Sequence, residues 1–347
     1  MLADMRIVSL LAIFLFSLAR SVSGATHDAY FDSAQVTSLI AAQELLFNDQ
    51  FAAADSFLNE YSHRYPTDPA GLVFRASGLL AQMIDREEPF CQAQFDSLLD
   101  HARELAEEAV VDPVPRRAAW MHLFLGHEAA YQSLFQSRFG SFTSAISNGY
   151  GAKGEYEKAL AADSTLLDIY AGLGSFHYWK SAKAGFLRWF GIFKNDKDRG
   201  ITELKRAADS SLLSREAARN SLIWVYFDSD QPDSAEILVR EAMARYPNSR
   251  SVLWPLAQSL YDRKKFADAI GIYEEIRTRI SNDPGNYFNF VECDYYIALC
   301  NDKLDQETEA KEAALKLGDY YDAIPKDTRK RQQGKLGYLK RLATSDD

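Results

Sequence analysis

The sequence predicts an all-α chain, and three observations carry that expectation. Composition is the first: 46 of the 347 residues are Ala, against 18 Gly and 10 Pro. That balance favours helix over turn-rich sheet. The second is a core-forming content of 47% apolar and 13% aromatic residues, which excludes disorder throughout. The third is a self-similar pattern of large and small apolar residues at helical spacing, returning after about 34 residues. Acids outnumber bases 49 to 39, for a formal charge of −10. A general nucleic-acid binder, which needs a basic face, is disfavoured.

From the N-terminus, Ile7 to Ala19 form the apolar run IVSLLAIFLFSLA, preceded by Arg6 and followed by Ser21-Val22-Ser23-Gly24-Ala25. The run is too short to span a bilayer comfortably. Its order of base, apolar core and small residues is that of a secretory signal peptide over residues 1–25, cleaved after Gly24 or Ala25. No Cys follows it, which disfavours a lipid anchor. Residues 26–34 read as a short linker. The three cysteines, Cys91, Cys293 and Cys300, read as small core residues. Cys293 and Cys300 lie roughly 10 Å apart along a helix axis, too far to bridge.

The repeat begins after the linker. Leu222, Tyr226, Ala235, Val239, Ala242 and Pro247 form a skeleton that a shift of 34 residues turns into Leu256, Leu260, Ala269, Tyr273 and Ile276. A further shift of 41 gives Ile297, Asn301, Ala310, Ala314 and Leu317. Ala54-Leu58-Tyr61-Pro66, Ala152-Tyr156-Ala159 and Gly200-Leu204-Ala207 repeat the second half. This skeleton resembles the tetratricopeptide repeat (TPR) family over most of residues 35–325, most strongly at 216–283. The resemblance implies a right-handed superhelix, an α-solenoid, of about seven helix–turn–helix repeats. Their second helices are expected to end near Pro66, Pro113, Ser164, Leu212, Pro247, Ser281 and Asp322. Ala235 and Ala269 are then small because two helices cross there, and Pro247 stops its helix. Residues 326–347 are expected to form a solvated C-terminal capping helix and tail.

Two stretches exceed the repeat length. Trp120 and Ala152 are about 16 residues too far apart, and Tyr170 and Gly200 about 14. These place lengthened helices or inserted loops near 130–148 and 180–199. Such insertions often carry specificity. Just after the first, Gly149 and Gly151 read as helix-start or close-packing residues.

Catalytic patterns are missing. His127-Glu128 has no second His at metal-binding spacing, and no P-loop, dinucleotide fingerprint or Gly-x-Ser-x-Gly elbow occurs. No catalytic residue, metal site or cofactor is expected. In a TPR array the first helix of each repeat lines an inner groove. Alignment on the skeleton places Tyr178, Trp179, Trp224, Phe227, Trp254, Tyr261 and Tyr295 there as a peptide- or partner-binding set. Aromatics of this kind dominate binding hot spots. Asn220 sits near a position that carboxylate-gripping TPR proteins use, but their Lys partners are missing. The expected function is a non-catalytic scaffold or binding protein in a bacterial periplasm or secreted, holding a protein or peptide partner. The alternative is peripheral contact with a membrane or an acidic partner. It would use the insert, whose Phe186, Arg188, Trp189, Phe190 and Phe193 interleave bases with aromatics.

Overall fold

A computed structural model describes residues 28, 30–183, 195–281, 283 and 285–345. Among the described residues there are sixteen α-helices and no strand. In chain order they are α1 (Ser33–Phe47), α2 (Phe51–Arg64), α3 (Ala70–Arg86), α4 (Gln92–Ala109), α5 (Pro115–Phe139), α6 (Phe142–Ala162), α7 (Ile169–Lys183) and α8 (Lys197–Ser210). They continue as α9 (Arg215–Asp228), α10 (Pro232–Arg245), α11 (Leu253–Asp262), α12 (Phe266–Ile280), α13 (Tyr287–Lys303), α14 (Glu307–Leu315), α15 (Lys326–Arg331) and α16 (Gln333–Thr344). Successive helices pack on one another along the chain. The core follows as neighbouring apolar clusters, the largest within α1–α7 and the next within α11–α16.

A local turn recurs between helices. Asp49, Asp230, Lys264 and Asp305 all have φ between 56° and 59°. Each is followed by a residue whose amide closes the turn on a carbonyl five positions earlier: Gln50 on Leu45 at 2.9 Å, Gln231 on Tyr226 at 2.8 Å, Lys265 on Leu260 at 2.9 Å and Gln306 on Asn301 at 3.0 Å. Left-handed backbone after a helix satisfies its last carbonyls, and Asp tolerates it better than most side chains. The turn reverses the chain so that α1/α2, α9/α10, α11/α12 and α13/α14 lie side by side. Ala235 and Ala269 are fully buried on the second helix of their pairs.

The excess near 130–148 is helix. α5 runs 25 residues and α6 runs 21, joined across Gly140 and Ser141. Gly149 and Gly151 therefore lie inside α6 rather than at its start; Gly149 packs closely, a Cβ there lying 3.2 Å from Ser133 Oγ of α5, whereas Gly151 faces open space. In the second insertion, residues 184–194 lie outside the described residues. α7 and α8, on either side of it, meet backbone to backbone: a Cβ on Gly200 would sit 2.7 Å from the Gly174 oxygen and 2.7 Å from the Tyr178 nitrogen.

Three expectations are corrected. The expected linker is anchored on the fold: Asp28 accepts from Arg116 Nε at 2.7 Å and Trp120 Nε1 at 3.0 Å, and Phe31 is buried against Trp120 and Phe124. The helix expected to reach Asp322 stops at Leu315, and two short 3₁₀ turns follow. The single capping helix is broken at Gln332 into α15 and α16, and α16 buries Leu336 and Leu339 on the preceding helices.

Candidate functional site

The seven aromatics expected in one groove fall into three settings. Tyr178 is core, fully buried between α7, α8 and α9. Its hydroxyl donates to Asp228 Oδ2 at 2.6 Å and lies 3.2 Å from the Val225 carbonyl. Burial, then the Asp228 carboxylate, raises its pKa, so it stays a neutral donor. The cause of this correction is Gly200, whose missing side chain lets α8 close over Tyr178. Trp179 is half-buried and edge-on to Tyr178, ring centroids 5.2 Å apart.

Trp224 and Phe227 share the second setting on α9. Trp224 is 41% exposed, one of the few large apolar side chains left open. Phe227 is half-buried between the Tyr178 cluster and the one around Ile223, Val239 and Val252.

The third setting brings Trp254, Tyr261 and Tyr295 together. All three are half-buried. Trp254 meets Tyr273 edge-on at 6.5 Å, and Tyr273 stacks on Tyr296 at 4.9 Å. Tyr296 contacts Tyr261 at 5.1 Å and Tyr295 at 5.2 Å, and Tyr295 contacts Tyr338 at 5.3 Å. Lys335 places its ammonium 5.4 Å from the Tyr295 ring and 5.1 Å from Tyr296, a favourable cation–π distance. The same ammonium is ion-paired with Glu292. Tyr261, Tyr295, Tyr296 and Tyr338 make a half-buried aromatic cluster on α11, α13 and α16, and Trp254 joins it through Tyr273 of α12, which is fully buried. Sequence reasoning missed Tyr296, Lys335 and Tyr338. Tyr296 was legible as the neighbour of Tyr295, but the last two sit on a helix read as solvated.

Phe186, Arg188, Trp189, Phe190 and Phe193 lie outside the described residues. The described bases flanking them are paired: Lys180 with Asp196 at 2.6 Å, Lys197 with Asp228 at 3.2 Å and Arg199 with Glu203 at 2.9 Å.

A second feature was invisible in the sequence. The first three helices meet segments about two hundred residues later. Arg250 pairs with Asp49 at 3.0 Å and with Asp85 at 3.1 Å. Arg86 pairs with Asp283, and Asn286 donates to Asp85 at 3.1 Å. Asn248 donates its amide to Asn48 at 3.0 Å, and Arg331 donates to the Glu87 carbonyl at 2.6 Å. The chain thereby returns to its own beginning. Burial pushes the Asp49 carboxyl up to about 6, against the opposing pull of Arg250. Beside this seam Asn220 lines a cavity of about 30 Å³ with Phe47, Arg219, Arg245 and Tyr246. That space holds one or two waters and is too small for a peptide terminus.

Among the described residues no group of His, Cys, Asp and Glu could hold a metal ion, and no helix is long and apolar enough to cross a membrane. No protein-family model matches the chain, and none of the curated proteins matches it.

Proposed function

We propose that this chain is an exported, non-catalytic scaffold of about seven TPR-like hairpins wound as a right-handed superhelix, and that it holds a protein or peptide partner on the aromatic face of its C-terminal hairpins. The recurring left-handed turn supports the hairpin reading, because four hairpins close in the same geometry. The seam supports a superhelix, because the chain meets itself again after about two hundred residues. The observation that carries the binding role is the half-buried cluster of Tyr261, Tyr295, Tyr296 and Tyr338 on three helices, which Trp254 joins through the buried Tyr273. Tyr and Trp supply large rigid contact area with a polar tip, which suits a peptide that also needs hydrogen bonds. A chain with a formal charge of −10 does not suit nucleic acid. The apolar leader supports delivery to the periplasm or beyond.

The test is a photo-crosslinking residue at position 261 in the native compartment. A defined protein partner, captured there and not from a control position at exposed Ile237, is the expected result. Equal capture from both positions, or from neither, contradicts the proposal.

A further inference from the structure

Two proline-rich connections meet at one end of the early helices. The α2–α3 connection carries Tyr65-Pro66-Thr67-Asp68-Pro69, and the α4–α5 connection Val111-Asp112-Pro113-Val114 with Pro115 opening α5. Proline fixes φ, so both connections hold their shape. Together with Tyr30 and Gln35 they line a cleft of about 450 Å³. That volume lies within the range of small-molecule sites, about 300–1,000 Å³. One wall is organised around the buried Asp68. Its carboxylate accepts from the Ala70 amide at 3.0 Å, Gln35 Nε2 at 3.0 Å, the Tyr30 hydroxyl at 3.4 Å and the Tyr61 hydroxyl.

The balance of donors and acceptors decides what fits. The acids in the lining are Asp68 and Asp112, and both are engaged. Asp68 spends its charge on the donors just named. Asp112 accepts the Val114 amide on Oδ1 at 2.8 Å and Arg117 Nη1 on Oδ2 at 3.0 Å. Donors are left over. Arg64, exposed at the end of α2, has no ion-pair or hydrogen-bond partner among the described residues. The hydroxyls of Tyr65 and Thr67 have none either. A lining with engaged acceptors and open donors suits an occupant that brings acceptors. Asp112 already balances Arg117, which leaves Arg64 as the guanidinium without a carboxylate. A single negative charge matches it, and a planar carboxylate fits its fork. The rest of the lining is apolar and aromatic: the Tyr30 and Tyr65 rings are half-buried, and Val114 is 47% exposed. Aromatic walls of this kind favour a flat ring.

We propose that this cleft binds a small aromatic monocarboxylate, its carboxylate held by Arg64 and its ring against Tyr30, Tyr65 and Val114. The cleft shares no residue with the aromatic cluster of α11–α16, so this role and partner binding can each fail alone.

The test is isothermal titration of the purified protein with phenylacetate and indole-3-acetate, beside their neutral amides and inorganic phosphate. Binding of at least one acid at millimolar concentration or below is expected, with its amide and phosphate weaker by roughly tenfold or more. Arg64→Gln should lower that affinity roughly tenfold, the loss of a charge-assisted hydrogen bond. Arg240→Gln removes an exposed base of α10 outside the cleft and should leave the affinity unchanged. Both side chains are exposed, so both variants are expected to melt like the parent. A protein that binds neither acid, binds acid and amide alike, or binds phosphate as tightly overturns the proposal. So does an Arg64→Gln variant that loses no more affinity than Arg240→Gln.

Discussion

Gly200→Ala sets two effects of opposite sign against each other. Ala is the better helix former, and in an open helical position the exchange stabilises by about 1 kcal/mol. Gly200 is not open. The new Cβ would lie 2.7 Å from the Gly174 oxygen, 2.7 Å from the Tyr178 nitrogen and 2.9 Å from the Tyr178 Cβ. Two of these atoms are backbone of a neighbouring helix, which cannot rotate away as a side-chain tip can. The helices must part, and overpacking of this kind costs about 1–3 kcal/mol. Parting also loosens Tyr178, whose hydroxyl bond to Asp228 depends on its place under α8. The net expectation is a loss of about 1–2 kcal/mol, seen as a lower urea midpoint at unchanged slope. Gly151→Ala is the control. It lies inside α6 with nothing within 4 Å of the new Cβ, and is expected to gain about 0.5–1 kcal/mol. A Gly200→Ala protein as stable as the parent, or more so, would refute the close approach of α7 and α8.

Four further outcomes follow. Arg250→Ala leaves the Asp49 and Asp85 carboxylates together without their shared cation, and is expected to cost about 3 kcal/mol and to widen the molecule in small-angle scattering; an unchanged radius of gyration counts against the seam. Asp49 has a folded pKa near 6 against an ordinary 3.8, so the folded state takes up the proton first and stability gained from this group rises as pH falls from about 7 to about 4. The stability difference between parent and Asp49→Asn should therefore change across that range, and a flat difference contradicts the burial assigned to it. Ala235→Leu and Ala269→Leu should each cost about 1–3 kcal/mol at their helix crossings, read from thermal melts. N-terminal sequencing of the exported protein should begin at Ala25 or Thr26, and retention of Met1 would overturn cleavage.

What the sequence displayed was local. Helix periodicity, the small residues at 235 and 269 and the stops before Pro66 and Pro247 depend on neighbours within a few turns. The surplus at 130–148 was visible as length, and α5 and α6 spend it on extra turns. Tyr178 was misplaced because its burial depends on a glycine pair, Gly174 and Gly200, meeting across two helices. Asp28 and Phe31 looked like linker because their partners, Arg116 and Trp120, lie far along the chain. The seam joins Asp49, Asp85 and Asp283 to Arg86 and Arg250, residues ordinary as single charges, and most of these pairs lie more than 150 residues apart in the chain. Tyr338 and Lys335 looked solvated because α16 is rich in charge, yet its Leu336 and Leu339 bury and carry them to the aromatic face.

The central claim, that aromatics on the later hairpins bind rather than only pack, is tested most directly by paired measurements on Trp224→Ala, Trp254→Ala and Tyr261→Ala. For each, affinity for the partner captured at position 261 is measured beside the circular dichroism melt. The account expects at least one of the three to lose about 2 kcal/mol or more of binding with helicity and melting kept. If all three keep their affinity, or bind poorly only because a cavity worth about 3–5 kcal/mol has lowered their melting, these side chains are core and the binding face is contradicted.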